Sequence, residues 1–447
     1  MRKTAGTFVT AVFILAAALP PLRGQATFSS GWDFNVHRYQ LANGLRVVLS
    51  EDDTLPLVSV VVAYGAGTIR EQRGQIGLAF LLENLMFQGS GNVSPLQHLG
   101  FIQKIGGELN ATTTLDKAVY YQTLPSNQLA LALWLESDRM RSLAFTPLSI
   151  EKTKEDLLEA HRRRLATEPY LESYSVFETY LYPDFPYGHP LIGTGEDLKN
   201  LTPADVESFY RSYYVPGNAV LSIVGDIHVG RAKELIARYF ESIAPGPAAV
   251  PPPPPPSFAQ TREIVQTIKE TLLPTPGFHL GFRFTPVQTG DRHALRILEY
   301  LLLRGRTSRL SSRILRKDLT AYYFTGGLEE RLGLTALRIF ALNNNDVMAD
   351  RSLRAILSEI DRLKTGLVSD DELDKAKRLF KMDYLRRLGN GLDRALTLAE
   401  AAFDNVPTDD LSAELEKHMR VTAQGLNSLV SRVFIPRNQV LLNIRNR

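Results

Sequence analysis

The chemistry that this sequence could carry centres on Glu83, which lies in the apolar stretch GLAFLLENLMFQGS at residues 77–90. With histidine in place of Phe80 and Asn84, the stretch would read H-x-x-E-H. In that motif two histidines one helical turn apart bind zinc, and the glutamate is the acid–base group. Neither histidine is present. The stretch is therefore either a zinc site that has lost its ligands or an ordinary apolar helix.

Any metal ligand in this chain must be histidine, aspartate or glutamate, because its 447 residues include no cysteine. Disulfides are excluded for the same reason. Apolar residues make up 44% and charged residues 22%, an ordinary balance for a globular protein of two or three domains. We find no ligand spacing among seven of the histidines, which are His37, His98, His189, His228, His279, His293 and His418.

The N-terminal residues predict export. Arg2 and Lys3 precede a mostly apolar run over residues 8–19, and residues 24–26 offer a small-residue cleavage site. This order is typical of a secretory signal peptide, which we assign to residues 1–26. A membrane anchor is the alternative, but the run is shorter than the about 20 residues that a spanning helix needs. We therefore expect a periplasmic protein that does not contact the membrane after cleavage.

Removal of the signal peptide would also remove the net charge. The chain carries 51 basic and 48 acidic residues, a net charge of +3, and three of the basic residues precede position 27. The mature chain would therefore be neutral and has no basic stripe. These properties argue against nucleic acid as a partner.

One structural unit is used twice along the chain. Residues 201–226 align without gaps to residues 421–446, a lag of 220 residues. Two further pairs of segments share that lag, namely 56–64 with 276–284 and 80–84 with 300–304. A single lag across three segments is hard to obtain by chance. The sequence therefore predicts two copies of one fold.

A proline-rich linker separates the two copies. Residues 245–258, PGPAAVPPPPPPSF, contain six consecutive prolines. Such a run forms a stiff polyproline II rod, here about 19 Å long. We therefore place an N-terminal domain at residues 27–244 and a C-terminal domain at residues 259–447.

Each copy is predicted to be an α+β domain. Alternating strand-like stretches such as LRVVLSED and LVSVVVAYG come first, helical patterns follow, and the strand NAVLSIVGD closes the first copy. The predicted helices of that copy are 75–88, 126–143, 147–165 and 202–212. In the second copy, SDDEL at residues 369–373 supplies a helix N-cap with acids in the first turn. We expect a mainly antiparallel sheet in each domain, covered by helices on one face.

Three motifs carry a resemblance to the pitrilysin (insulinase-like) metallopeptidase family, which includes the mitochondrial processing peptidases. They are residues 77–90, GGELNATTTLDKAVYYQTLP at residues 106–125, and the specific stretch YPDFPYGHPLIGTGEDLKNLTPADVESFYRSYYVPGNAVLSIVGD at residues 182–226. The resemblance covers nearly all of the mature chain. It implies two homologous domains that face each other across a cavity, and a structural role for His189 in the YGHP turn.

The zinc ligands that this family uses are missing from the chain. The resemblance places the two histidine positions at Phe80 and Asn84, and the glutamate ligand of an E-x6-E helix at Ala160, with Thr153 at its first glutamate. Only Glu83 remains, as a remnant of the general base. The alternative ligands Glu159 and His161 point about 100° away from position 160 on a helix. We therefore expect no metal or other cofactor in this chain.

The resemblance also implies residues that contact substrate. It places Asn110 and Ala111 on an edge strand beside the substrate, where main-chain hydrogen bonds could capture an extended peptide. In the C-terminal domain the family carries an arginine and, seven residues later, a tyrosine, which reach the substrate backbone. Arg316 and Tyr323 have that spacing, with Tyr322 as a register alternative. Ordinary surface residues are the other interpretation of both sets.

Three functions follow from the resemblance. In the first, the chain is the zinc-less subunit of an exported heterodimeric peptidase, and a zinc-bearing sister subunit hydrolyses the peptide. In the second, it is an interaction or scaffold protein with no role in proteolysis. The third, a self-sufficient peptidase, is nearly eliminated by the missing ligands. We favour the first, with zinc in the partner and Arg316 and Tyr323 acting on the partner's substrate.

Overall fold

The computed structural model describes residues 34–183, 186–247, 262–270, 272, 275–284, 289–331, 334–406 and 411–445. The predicted signal peptide lies outside the described residues, as do residues 248–258 of the predicted linker. The signal peptide and the domain boundaries therefore stay predictions. Among the described residues, no helix combines the length and apolar character required to cross a bilayer.

The first half of the described chain forms a six-stranded sheet with the order β1-β2-β6-β3-β5-β4. All neighbouring strands are antiparallel except β2 and β6, so the sheet is mainly antiparallel, as predicted. Its strands are β1 (Val36–Gln40), β2 (Arg46–Glu51), β3 (Leu57–Tyr64), β4 (Glu108–Thr113), β5 (Ala118–Pro125) and β6 (Ala219–Gly225). The helices of this half are α1 (Leu78–Leu85), α2 (Gln97–Lys104), α3 (Leu129–Arg141), α4 (Pro147–Thr167), α5 (Leu171–Leu181), α6 (Gly195–Asn200), α7 (Pro203–Tyr213) and α8 (Val229–Phe240).

The second half forms a five-stranded sheet with the order β7-β11-β8-β10-β9, in which only β7 and β11 are parallel. Its strands are β7 (Ile264–Lys269), β8 (Gly277–Phe284), β9 (Tyr323–Arg331), β10 (Leu334–Leu342) and β11 (Gln439–Arg445). Its helices are α9 (Thr289–Leu302), α10 (Arg309–Ser311), α11 (Asp346–Thr365), α12 (Asp370–Gly389), α13 (Gly391–Phe403), α14 (Leu411–Met419) and α15 (Ala423–Val433).

The predicted repeat is confirmed, because the two sheets have one topology. A lag of 220 residues carries β3 onto β8, α7 onto α15 and β6 onto β11 without any shift in their bounds. Local signals explain the agreement. Both α7 and α15 begin after a threonine, Thr202 or Thr422, whose side chain accepts the N–H three residues later. Ser369 caps α12 in the same way, as its sequence predicts.

The expectation that helices cover only one face of each sheet is wrong. Helix α13 of the second half packs on the other face of the first sheet, where Leu398 joins a buried cluster with Val61 and Val220. Helix α5 of the first half packs in the same way on the second sheet, through Phe177 and Leu181. The reason is visible in β3 and β6, whose residues are buried on both faces instead of alternating.

Candidate functional site

Helix α1, which carries Glu83, begins at a buried carboxylate. Gly77 has a left-handed φ of 89° before the helix, and a Cβ there would lie 2.5 Å from the carbonyl oxygen of Ile192. The Glu71 carboxylate accepts the N–H groups of Gly77 and Ala79 at 3.1 and 2.8 Å. Because α1 thus starts at a fixed point, the side chains one and two turns later have defined positions.

Glu71 and His189 form an uncharged pair near neutral pH. Burial raises the pKa of Glu71 to about 8, although the two N–H bonds oppose the shift. Burial also lowers the pKa of His189. The Nε2 atom of His189 lies 3.7 Å from Glu71 Oε2, so this contact is a neutral one at pH 7. His189 of the YGHP turn therefore lies beside the start of α1, and its structural role stays a prediction.

Phe80 and Asn84, the positions on α1 to which the resemblance assigns histidines, are both engaged with their own helix or the core. Phe80 is half-buried and packs against the apolar core between the first sheet and the helices of the first half. The side-chain amide of Asn84 donates to the carbonyl oxygen of Phe80 at 2.8 Å, one turn earlier on the same helix. The amide is thus turned back onto its own backbone.

The third position assigned to a ligand, on α4, offers no ligand atom. Ala160 is exposed on α4, and Thr153 is buried with its hydroxyl donating to the Ser149 carbonyl at 2.8 Å. Glu159 is exposed and lies within 4 Å of two arginines of its own helix. A three-ligand cluster that includes Glu83, Glu159 or His161 is absent from the described part of the chain.

Glu83 itself is held in an apolar setting. Its Oε2 atom is buried and has no hydrogen bond of normal geometry to any described residue, and the same is true of the Thr113 hydroxyl beside it. Burial raises the pKa of Glu83, and the neighbouring Thr113 only partly offsets the shift. A carboxyl group in this environment is stabilised in its neutral form.

The predicted peptide-binding residues Asn110 and Ala111 lie on β4, which is an edge of the first sheet. β4 pairs only with β5, and Ala111 is opposite Tyr120. The Ala111 N–H is engaged locally, because it donates to the Asn110 Oδ1 atom at 2.8 Å. A peptide strand added at this edge would have to displace that side chain.

Arg316 and Tyr323 are both exposed in the second half. Arg316 lies in a π-helical turn at Ser312–Lys317, a distortion that is frequent at functional sites. Tyr323 is the first residue of β9, an edge strand of the second sheet, and 47% of it is exposed. Among the described residues, no hydrogen bond or ion pair engages the Arg316 guanidinium or the Tyr323 hydroxyl.

The register alternative Tyr322 has a different environment. Its hydroxyl is hydrogen-bonded to the Thr275 hydroxyl, and the Tyr170 hydroxyl donates to the Thr275 carbonyl at 2.9 Å. Tyr322 is therefore part of a contact with Thr275, just before β8, and Tyr170, just before α5. Among the described residues, the Tyr323 hydroxyl has no such contact. The role of Arg316 and Tyr323 in substrate binding stays a prediction.

Sequence reasoning missed one cluster, formed by His293, Glu414 and His418 in the second half. One ligand atom from each lies within 4.8 Å of the other two. The signal in the sequence is the spacing of Glu414 and His418, which are one helical turn apart on α14. His293 is far away in the sequence, and only packing brings it to the other two.

The fold and the site together define a two-domain protein built like a metallopeptidase. Two family profiles match it, namely Insulinase (Peptidase family M16) over residues 46–194 and Peptidase M16 inactive domain over residues 200–380. The chain belongs to the M16 (insulinase or pitrilysin) peptidase family.

Individual relatives agree with this assignment. The chain is 28% identical over 368 residues to the zinc protease PqqE of Helicobacter pylori. The alignment covers 82% of this chain and 83% of that protein. A crystal structure of a protease from Helicobacter pylori superimposes with a TM-score of 0.86 at 24% identity, over 92% of this chain and 99% of that one. The periplasmic protease PqqL of Escherichia coli gives a TM-score of 0.76 at 20% identity, over 92% of this chain but 48% of that one.

Proposed function

We propose that this protein is the non-catalytic subunit of an exported, heterodimeric M16 peptidase. In this proposal it presents Arg316 and Tyr323 to the substrate bound at a sister subunit that carries H-x-x-E-H and zinc. The observation that carries the proposal is a contrast between the two halves. Phe80, Asn84 and Ala160 supply no zinc ligand, whereas Arg316 and Tyr323 are exposed and unengaged among the described residues.

The chemistry of the two side chains fits this role. Arginine offers a planar fork of donors for a peptide carbonyl, and a tyrosine hydroxyl can donate to the oxyanion that develops when water attacks the carbonyl. The Tyr323 ring packs edge to face against Phe340, but among the described residues neither the Arg316 guanidinium nor the Tyr323 hydroxyl would have to break a hydrogen bond or ion pair first. The free hydroxyl of Tyr323 is what distinguishes it from Tyr322, whose hydroxyl is bonded to Thr275.

Pairing of two such chains is also compatible with a longer relative. This chain corresponds to about half of the PqqL chain, so the fold occurs there within a chain of roughly twice the length. A zinc-bearing sister would supply the second half here. The signal peptide predicted at residues 1–26 places the assembly in the periplasm in this proposal.

The experiment assembles the chain with a sister that carries H-x-x-E-H and compares kcat/KM for peptide cleavage at equal heterodimer content. Arg316→Ala and Tyr323→Phe should each lower kcat/KM, by on the order of 100-fold where one transition-state donor is lost. The matched controls are the adjacent residues, as Lys317→Ala and Tyr322→Phe. They should cleave at close to the wild-type rate.

Wild-type kcat/KM in both Arg316→Ala and Tyr323→Phe would contradict the proposal. If the heterodimer still forms, the chain is then an interaction or scaffold protein of the same fold. A general loss in the control variants as well would indicate damage to the π-helical turn and not loss of a substrate contact.

A further inference from the structure

We propose that His293, Glu414 and His418 form a binding site for a divalent transition metal ion of the zinc class, which fastens α14 to α9. The three side chains each place a nitrogen or carboxylate oxygen within 4.8 Å of the other two. Two imidazoles and one carboxylate are a ligand set that zinc accepts, and a fourth position remains for water. The site is separate from the family's zinc positions on α1.

Helix α14 supplies two of the three proposed ligands. Glu414 and His418 are four residues apart on a helix, so their side chains lie on one face, one above the other. His293 comes from α9, which packs against α14. The His293 and His418 rings meet edge to face, with centroids 4.6 Å apart.

His418 is held in the form that binds metals. Its Nδ1 N–H donates to the Glu414 carbonyl oxygen at 2.9 Å, which leaves the lone pair on Nε2. Metal-binding histidines are commonly oriented by such a backbone hydrogen bond on the other ring nitrogen. The ring also stacks on Phe380 of α12 at 4.3 Å, so its plane is fixed.

Glu414 divides its two oxygens between different partners. Oε1 accepts from His293 Nε2 at 2.8 Å, and Oε2 lies 2.9 Å from the Lys417 ammonium. A metal ion would take the place of the proton between Oε1 and Nε2, and the His293 ring would then carry its hydrogen on Nδ1. Ligand atoms on a tetrahedral ion lie about 3.3 Å apart, given bonds of about 2.0–2.1 Å. The separation of Glu414 Oε1 and His293 Nε2, which is 2.8 Å, would therefore have to increase only slightly to admit the ion.

Nearby positive charge is already neutralised. Arg296, which contributes to the electrostatics at His418, donates to Glu299 and Glu330 at 2.7 and 2.9 Å. Lys417 is paired with Glu414. The His293 and Glu414 side chains are 15% and 24% exposed, so an ion can enter from solvent.

A purely structural interpretation explains less of the arrangement. A His293–Glu414 hydrogen bond could join α9 and α14 without a metal, but it leaves out His418, which also has a ring nitrogen within 4.8 Å of the other two groups. A metal ion uses all three groups. The ion would also fix the position of α14, the next helix in the chain after α13. Helix α13 is the one that packs on the first sheet. The inference does not depend on the proposed peptidase partner.

The test uses the full mature chain, stripped of metal with a chelator and titrated with Zn²⁺ by calorimetry. Co²⁺ serves as a spectroscopic probe of the geometry. The variants are His293→Asn and Glu414→Gln, both of which retain a polar group of similar shape. The matched controls are Glu416→Gln, an exposed acid of the same helix that pairs with Arg420, and Glu83→Gln on α1. Circular dichroism and the metal-free Tm establish that each variant is folded.

We expect one Zn²⁺ per chain in the wild type and in both controls, with a Tm that rises when Zn²⁺ is added. His293→Asn and Glu414→Gln should weaken binding by more than the about 10- to 100-fold that loss of an outer partner costs. Absence of stoichiometric binding at micromolar Zn²⁺ would overturn the proposal. A Zn²⁺ affinity equal to that of the wild type in His293→Asn and Glu414→Gln would also overturn it. Loss of Zn²⁺ binding in Glu83→Gln would do the same.

Discussion

Asn84 donates its side-chain amide to the carbonyl oxygen of Phe80, one turn earlier on α1, at 2.8 Å. The predicted correspondence with the family motif assigns its two zinc-binding histidines to these positions. The hydrogen bond engages the Asn84 amide nitrogen, and the phenyl ring of Phe80 packs against the core. Both side chains are therefore part of the helix and its packing.

Because of this arrangement, the isolated chain should neither bind zinc on α1 nor hydrolyse peptides. Glu83→Gln should leave the zinc content and the thermal response to zinc unchanged, since its carboxylate faces no ligand partner among the described residues. The measurements are metal analysis and a fluorogenic peptide assay on the purified chain. One tightly held zinc that disappears in Glu83→Gln, together with peptide cleavage, would contradict this prediction.

Glu71 should make stability fall as pH rises. Its pKa is raised from 4.5 to about 8 in the folded chain, chiefly by burial. Between these values the folded chain retains a proton that the unfolded chain releases. The free energy of unfolding therefore decreases with rising pH, by at most about 1.4 kcal/mol per pH unit from this group. Above about pH 8 both states are ionised and the effect stops growing.

Urea unfolding of wild type and Glu71→Gln between about pH 5 and pH 8 isolates this contribution. The variant should lose the part of the pH slope that Glu71 causes, whereas an exposed control, Glu196→Gln, should keep it. Parallel pH profiles for wild type and Glu71→Gln would show that the Glu71 carboxyl is already ionised at neutral pH.

Helix α13, which belongs to the second half but packs on the first sheet, should be important for the stability of the whole molecule. Leu398 is fully buried against the first sheet, so Leu398→Ala should lower the free energy of unfolding by about 2–5 kcal/mol. Leu396 is only half-buried on the same helix, and Leu396→Ala should cost less. Denaturant unfolding followed by circular dichroism measures both. Equal, small losses would indicate that α13 is not packed on the first sheet in solution.

Peptide capture at β4 should depend on the Ala111 N–H. Asn110→Ala removes the side chain that accepts this N–H, so it should strengthen peptide binding in an assembled heterodimer, whereas Ala111→Pro should weaken it. One hydrogen bond corresponds to a change of about 2- to 12-fold in affinity. The measurement is peptide Kd by fluorescence anisotropy, with Glu108→Gln on the same strand as control. Unchanged affinity in Ala111→Pro would remove β4 from the binding surface.

Much of this protein could be predicted from its sequence because the signals are local. The N-cap Ser369 and the strand-like runs of β3 and β6 depend on residues close together in the chain, and the repeat follows from comparing such local patterns 220 residues apart. The loss of the zinc ligands could also be predicted, because it depends on which residue occupies a position in a recognised motif. Predicted helix bounds such as 126–143 differ from Leu129–Arg141 by a few residues, since helix ends are weakly specified.

Only the tertiary structure decided which distant segments meet. It placed α5 and α13 on the sheets of the opposite halves, although their apolar faces alone could have covered either sheet. It bonded Tyr322 to Thr275, which left the hydroxyl of Tyr323 free of any described partner. It brought His293 to Glu414 across 121 residues of chain. Such contacts depend on how complete helices and sheets pack, and packing at long range leaves no periodic pattern in the sequence.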